Sequence, residues 1–212
     1  MNKFHLALLL LPLISVQTYA GVSVVGTRFF IQDNKKISVK LMNDNESDYL
    51  IKSEIKGLNN SSNFIISPPL FIIKKNQTNI FSIIPNNIKF SHDEVFDLMV
   101  TAIPKTNKNN SNHVNLSVRS HFKLIYRYKP IDDSMLKLLE VKQLSHQENT
   151  FHNPTLSFLT VYISCDINNQ KQDRLNVAPN QTLSIPKCTN DTWVSLVRDD
   201  GSVSSMQKLN VA

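Results

Sequence analysis

The sequence predicts an all-β protein built from two β-sandwich domains. Short runs of apolar residues with a period of two follow one another along the chain, and none has the spacing of an amphipathic helix. The pattern breaks at Lys129-Pro130, after which a second and shorter set of strands begins. Glycine occurs only 4 times in 212 residues. Asparagine tolerates the left-handed backbone conformation and is therefore expected to form many of the turns.

The first twenty residues have the pattern of a secretory leader. Lys3 supplies a positive start, Leu6–Ile14 an apolar stretch, and Thr18-Tyr19-Ala20 a small-residue cleavage site. The apolar stretch is too short to span a bilayer as a helix. We therefore predict cleavage after Ala20, export, and no membrane insertion. The formal charge of +6 is spread over scattered cations, so no nucleic-acid partner is expected.

Eight strands are predicted before residue 129. They are Val22–Ile31, Ile37–Met42, Tyr49–Ile55, Asn63–Ile66, Leu70–Ile73, Asn79–Ile84, Val95–Ile103 and Val114–Tyr128. Pro68-Pro69 separates two of them, and proline cannot donate a hydrogen bond within a central strand. This pair therefore predicts an edge crossing or a switch between sheets.

Six more strands are predicted after the break. They are Leu136–Val141, Thr155–Ile163, Arg174–Val177, Thr182–Ile185, Trp193–Val197 and Val203–Val211. We therefore divide the chain into a leader (1–20), a first domain (21–129) and a second domain (130–212).

The predicted strand Val114–Tyr128 is unusually long. Val114, Leu116 and Val118 have the same parity as the later core positions, whereas Lys123 and Arg127 take the other face. A strand of this length extends beyond its own sheet, and an unpaired strand with regular apolar side chains is a template for pairing with another chain. A long ordinary core strand has the same pattern.

The only two cysteines, Cys165 and Cys188, lie in the predicted second domain. Exported proteins keep cysteines oxidised, so a disulfide is expected, and it would stabilise the fold by roughly 3 kcal/mol. A metal pair or reactive thiols are poorer alternatives because no histidines lie nearby.

The sequence contains no pattern typical of an active site. Nucleophile elbows, phosphate-binding glycine loops and zinc-protease helices are all absent. The histidines have no metal-ligand spacing, and Asp132-Asp133 and Asp199-Asp200 are typical of turns. We therefore expect no enzymatic activity, no catalytic residue, no metal and no cofactor.

Taken in order, a series of short motifs resembles the periplasmic chaperones of the chaperone–usher pilus pathway. The motifs are Gly26–Ile31, Leu41–Asn43, Tyr49–Ile51, Ser67–Phe71, Asp93–Phe96, Ala102–Pro104, Phe122–Arg127 and Asn153–Thr155. The resemblance implies two immunoglobulin-like domains set at an angle, with a cleft between them. It also implies a periplasmic, non-enzymatic chaperone that binds pilus subunits and delivers them to an outer-membrane usher. Self-association of the free chaperone is left open.

The resemblance also implies roles for individual residues. Arg28 and Lys123 match two cleft cations that anchor the subunit's C-terminal carboxylate. Val114, Leu116 and Val118 match the alternating donor residues that complete the subunit's sandwich by β-augmentation, the addition of a strand from one chain to the sheet of another.

Glu94, Arg127 and Asp199 match an ion-pair cluster between the domains. The short turn Lys105–Asn112 resembles the branch of the family with a short loop before the donor strand. The chain also departs from the family, which usually has arginine in place of Ile72 and proline directly after Arg127.

Two other functions compete with the chaperone. One is an exported immunoglobulin-like adhesion or structural pilus protein, but the first domain lacks the Cys…Trp…Cys arrangement of true immunoglobulin domains. The other is a secreted hydrolase, which no nucleophile–base motif supports.

Overall fold

The computed structural model describes residues 21–57, 63–106, 116–143, 148–166, 172–188 and 191–209. Their regular structure is β-strand, with a short 3-10 helix at Asp133–Leu138, so the all-β prediction is confirmed. Within these ranges, no helix is long and apolar enough to cross a membrane.

Nine strands form the first sandwich. They are β1 (Val22–Val24), β2 (Arg28–Gln32), β3 (Ile37–Asn43), β4 (Tyr49–Lys56), β5 (Phe64–Ser67), β6 (Leu70–Ile73), β7 (Gln77–Pro85), β8 (Glu94–Pro104) and β9 (Val118–Arg127). One sheet has the order β1-β3-β7-β5 and the other β2-β9-β8-β4-β6. All pairings are antiparallel except β2 with β9, which is parallel.

The core of the first sandwich lies between these two sheets. Period-two alternation turns Val39 and Leu41 of β3 and Phe81 and Ile83 of β7 inward, where all four are fully buried. From the facing sheet, Leu124 of β9 packs into the same cluster. One hydrophobic core therefore holds both sheets together.

Seven strands form the second sandwich. They are β10 (Glu140–Gln143), β11 (Glu148–His152), β12 (Leu159–Ser164), β13 (Asp173–Val177), β14 (Thr182–Pro186), β15 (Thr192–Leu196) and β16 (Gln207–Leu209). Their sheets have the orders β10-β11-β14 and β13-β12-β15-β16. A separate apolar cluster fills the space between them and includes Leu136 of the 3-10 helix.

Two local predictions for the first sandwich have different outcomes. The single strand Val22–Ile31 is wrong, because β1 and β2 belong to different sheets. Gly26, with φ of 117°, lies at the crossing, where a residue with a side chain would be strained. The switch at Pro68-Pro69 is confirmed, since β5 and β6 also lie in different sheets.

The second sandwich differs more from the prediction. The expected strand Leu136–Val141 is wrong, because the 3-10 helix occupies its first part and β10 begins at Glu140. β11 was not predicted, since its polar residues mask the alternation. The strand expected from Thr155 begins only at Leu159, because buried Asn153 forms a turn by donating to the carbonyls of Ser157 and Ala178.

β9 ends at Arg127, and its described part begins at Val118. Residues 107–115 lie outside the described ranges. The predicted short loop before β9 and the predicted donor residue Val114 fall in this segment, so both stay predictions. The predicted parity is confirmed: Leu124 and Tyr126 lie in the core, whereas Lys123 has the opposite parity. The predicted domain boundary at 129/130 stays a prediction.

The predicted disulfide between Cys165 and Cys188 is confirmed, with the two Cα atoms 5.1 Å apart. It joins the segments that follow β12 and β14, which belong to the two different sheets of the second sandwich. The bond therefore links the sheets across one end of the core.

Candidate functional site

β9 has different neighbours along its two edges. β8 pairs with it from Val118 to Tyr126. On the other edge, β2 pairs only with Lys123 to Arg127. In the part of the chain that the structure describes, residues 116–122 therefore have no strand on that side. We call this segment the donor edge.

Apolar side chains emerge from the core along the donor edge. The exposed fraction of the residue is 0% at Leu124, 59% at Val118 and 74% at Leu116. Leu116 lies just before the strand and has the same parity as the two others. The row of apolar side chains on this face of β9 thus runs from the core into solvent, where the backbone has no strand partner among the described residues.

Arg28 and Lys123 lie side by side next to the donor edge. They are direct partners in the parallel pairing of β2 with β9, so both side chains are on the outer face of the same sheet. Neighbouring strands are about 4.8 Å apart. The structure therefore brings together the two cations that the sequence placed 95 residues apart.

Neither cation forms an ion pair within the described residues. Arg28 Nη1 donates to Thr160 Oγ1 of the second sandwich at 2.5 Å, and Thr160 Oγ1 donates to Asn176 Oδ1 at 2.8 Å. Lys123 Nζ lies 5.0 Å from the ring centroid of Phe158. Both cations therefore retain donors for an external anion.

The acidic residue opposite Lys123 in the sheet forms no ion pair with either cation. Asp97 lies directly opposite Lys123 in the pairing of β8 with β9. Its carboxylate instead contacts His121 Nδ1 at 2.8 Å. The Asp97 carboxylate is thus engaged with His121, and Lys123 forms no ion pair with it.

Buried Arg127 connects the two sandwiches. Its guanidinium donates through Nη1 to Asp93 and to the carbonyl of Phe158, and through Nε to Asp199 Oδ2 at 2.9 Å. Asp93 also accepts from the backbone N–H groups of Phe158 and Tyr128, at 2.9 and 2.7 Å. The side chains of Arg127 and Asp93 are 3% and 0% exposed. This network satisfies a buried charge with groups from both sandwiches.

The predicted partner Glu94 is wrong for this network. Glu94 pairs with His92 Nε2 at 3.0 Å, whereas Arg127 takes Asp93 and Asp199. The reason is register. Glu94 lies opposite Tyr126, so extending the ladder by one residue puts Asp93 opposite Arg127.

Sequence reasoning missed three residues of this region: Asp93, Phe158 and Thr160. Asp93 could have been found from the sequence: if β8 is assumed to pair with β9 in the observed register, Asp93 lies opposite Arg127. Phe158 and Thr160 belong to the other sandwich, and no local pattern connects them to Lys123 or Arg28.

Comparison with protein families gives one match over more than half of the chain. Residues 21–131 match the family described as pili and flagellar-assembly chaperone, PapD N-terminal domain. The chain belongs to this family. It is a family of non-enzymatic chaperones, which favours a chaperone over an adhesion protein, a structural pilus protein or a hydrolase.

Individual relatives agree with the family match. The Escherichia coli chaperone protein FocC is 31% identical over 159 residues, which cover 68% of this chain and 69% of FocC. The crystal structure of the E. coli chaperone DraB superposes with a TM-score of 0.74 at 19% identity, over 91% and 97% of the two chains. The chaperone SafB, solved in complex with the Salmonella enterica pilin SafA, superposes with a TM-score of 0.70 at 17% identity, over 92% of this chain and 97% of SafB.

These comparisons confirm the fold of two immunoglobulin-like sandwiches and the chaperone role. Members of this family are periplasmic, which places this pilus chaperone in the periplasm. Cleavage after Ala20 stays a prediction, since residues 1–20 lie outside the described ranges.

The Arg127 network predicts unequal effects for two adjacent acidic residues. Asp93→Asn should lower the free energy of unfolding by about 3 kcal/mol or more, because it leaves a buried guanidinium with one carboxylate. Glu94→Gln should cost less than about 1 kcal/mol, because its ion pair is partly exposed. Urea denaturation, followed by Trp193 fluorescence and circular dichroism, measures both. Equal losses would contradict the assignment of Asp93.

Proposed function

We propose that the protein captures pilus subunits by donor-strand complementation and anchors their C-terminal carboxylate at Arg28 and Lys123. It then delivers them to an outer-membrane usher. The observation that carries this proposal is the donor edge. Among the described residues, its backbone has no strand partner, and its exposed apolar side chains lie beside two adjacent cations that have no acidic partner.

The donor edge suits β-augmentation. Unpaired N–H and C=O groups of an edge strand pair readily with an incoming strand, which supplies affinity, while alternate side chains supply specificity. Leu116 and Val118 present those side chains, and burying one of them contributes about 1.5–3 kcal/mol. Donor residue Val114 stays a prediction.

The two cations suit a terminal carboxylate. A carboxylate accepts several hydrogen bonds, and charge-assisted bonds contribute about 1.5–3 kcal/mol each. The guanidinium of Arg28 has five N–H donors, and its bond to Thr160 uses one of them. A C-terminus is thus the ligand that matches the end of the donor edge.

The anchor also sets the register of the added strand. A slip by one residue would turn every side chain of the incoming strand to the wrong face. Lys123 and Leu116 have opposite parity, so the bound carboxylate and the buried apolar side chains lie on different faces. Fixing the C-terminus therefore selects which subunit residues meet Leu116 and Val118.

Delivery to an usher needs a second surface that stays free during capture. An apolar row crosses three strands on the outer face of this sheet: Ile72, Leu50 and Ile103 are direct partners on β6, β4 and β8. Ile72 and Ile103 are exposed. The row lies on the sheet face opposite to that of Val118, since Ala102 and not Ile103 is the partner of Val118. Its Ile72 end lies on the edge strand β6, three strands from β9, so we assign usher contact to that end of the row.

The anchor predicts a loss of capture without a loss of folding. Lys123→Ala or Arg28→Ala should nearly abolish pull-down of the cognate pilus subunit co-expressed in the periplasm, because the subunit's carboxylate loses one of its two cations. Lys40→Ala removes an exposed cation from the opposite sheet, and this variant should capture normally. Circular dichroism checks the fold. Undiminished capture by folded anchor variants would refute the mechanism.

The donor edge predicts a separate loss. Leu116→Glu should strongly reduce subunit capture while Arg28 and Lys123 remain in place, because an unpaired charge would enter an apolar groove. Leu138→Glu changes a comparably exposed leucine of the second sandwich and serves as the control. Equal capture by the two variants in the same pull-down would argue against donation by this edge.

The apolar row predicts a defect after capture. Ile72→Glu should leave the chaperone–subunit complex intact and weaken its binding to the immobilised N-terminal domain of the cognate usher at least about tenfold, since a charge replaces a buried contact. Ile80→Glu, on the opposite sheet and similarly exposed, should bind normally. Surface plasmon resonance of the purified complexes measures this. Normal usher binding by Ile72→Glu would exclude the row.

A further inference from the structure

Arg174 of the second sandwich lines the same cleft as Arg28. It lies on β13 directly opposite Tyr162 of β12. Tyr162 shares a face with Thr160, the residue that accepts the hydrogen bond from Arg28. Arg174, Tyr162 and Arg28 line one cleft of about 360 Å³.

The other charged groups that line this cleft have partners. Arg198 pairs with Asp133 at 2.6 Å, and Asp199 binds Arg127. Asp200 accepts from the backbone N–H of Ser202 at 2.8 Å. Within the described residues, Arg174 has no ion pair and no side-chain hydrogen bond, and Arg28 has only its bond to Thr160. Two arginines from the two walls are thus left for an anion.

The cleft has the size and spacing for two carboxylates of one peptide. Water occupies about 30 Å³ per molecule, so the cavity has room for a terminal residue and a neighbouring side chain. Two residues along a strand, as from Thr160 to Tyr162, span about 6.8 Å. An extended segment bound by its C-terminus near Arg28 therefore brings the side chain of its last or penultimate residue within reach of Arg174.

We propose that Arg174 is a specificity-determining contact that favours pilus subunits with Asp or Glu as the last or penultimate residue. The inference rests on the proposed function, because the segment must end at Arg28 and Lys123. Arg174 is exposed, so its contribution is moderate and decreases with salt. It selects among subunits, whereas the terminal carboxylate is common to all of them.

The test uses the full mature chaperone and labelled eight-residue peptides with alternating apolar residues. The peptides carry a free C-terminal carboxylate and Glu or Gln at the last or the penultimate position. Fluorescence anisotropy should show about fivefold tighter binding of a Glu peptide than of its Gln counterpart at low salt. Arg174→Gln should abolish this preference and leave the Gln peptides unaffected. Lys208→Gln removes an equal charge from the same sheet and should keep the preference.

Two results would overturn the proposal: no Glu preference at either position, or a preference that survives in Arg174→Gln. Capture of the full cognate subunit with the same Glu or Gln change repeats the comparison on the natural ligand and decides it if short peptides bind too weakly. An amidated peptide separates this inference from the proposed function. Unchanged binding after amidation would refute the carboxylate anchor at Arg28 and Lys123, independently of the preference conferred by Arg174.

Discussion

The arrangement of the two sandwiches depends on the hydrogen bonds and ion pairs of the buried guanidinium of Arg127. Desolvating a cation is costly unless charged and polar partners replace its water. Arg127 obtains these from Asp93 in the first sandwich and from Asp199 and the carbonyl of Phe158 in the second. Because Arg127 ends β9, the network also fixes the position of Lys123, four residues earlier, against the second sandwich.

The charges near the junction divide into two groups with different consequences. Arg127 and Arg198 are neutralised by carboxylates. Arg28, Lys123 and Arg174 have no acidic partner within the described residues. Arg28 and Lys123 are direct neighbours on paired strands, and like charges in that position destabilise a sheet. A carboxylate bound there, as proposed, would relieve this repulsion.

Besides the repulsion between Arg28 and Lys123, the free protein exposes the donor edge. An unpaired strand edge with exposed apolar side chains promotes association with other chains. Here the exposed edge is short, because β2 covers β9 from Lys123 onward. Arg119 and His121 alternate with its apolar residues and put polar groups on the outer face. The edge is therefore accessible to one incoming strand, while the rest of β9 is protected.

Local patterns in the sequence determined most strands of the first sandwich, the switch of sheets at Pro68-Pro69, the parity of β9 and the disulfide, but not the division of Val22–Ile31 into β1 and β2. These features depend on period two, on the missing donor of proline, and on the redox state of exported cysteines. Only the tertiary structure decided that Asp93 rather than Glu94 meets Arg127, that Thr160 holds Arg28, and that Arg174 shares its cleft. Each of these contacts depends on the register between distant strands, which a single sequence does not encode locally.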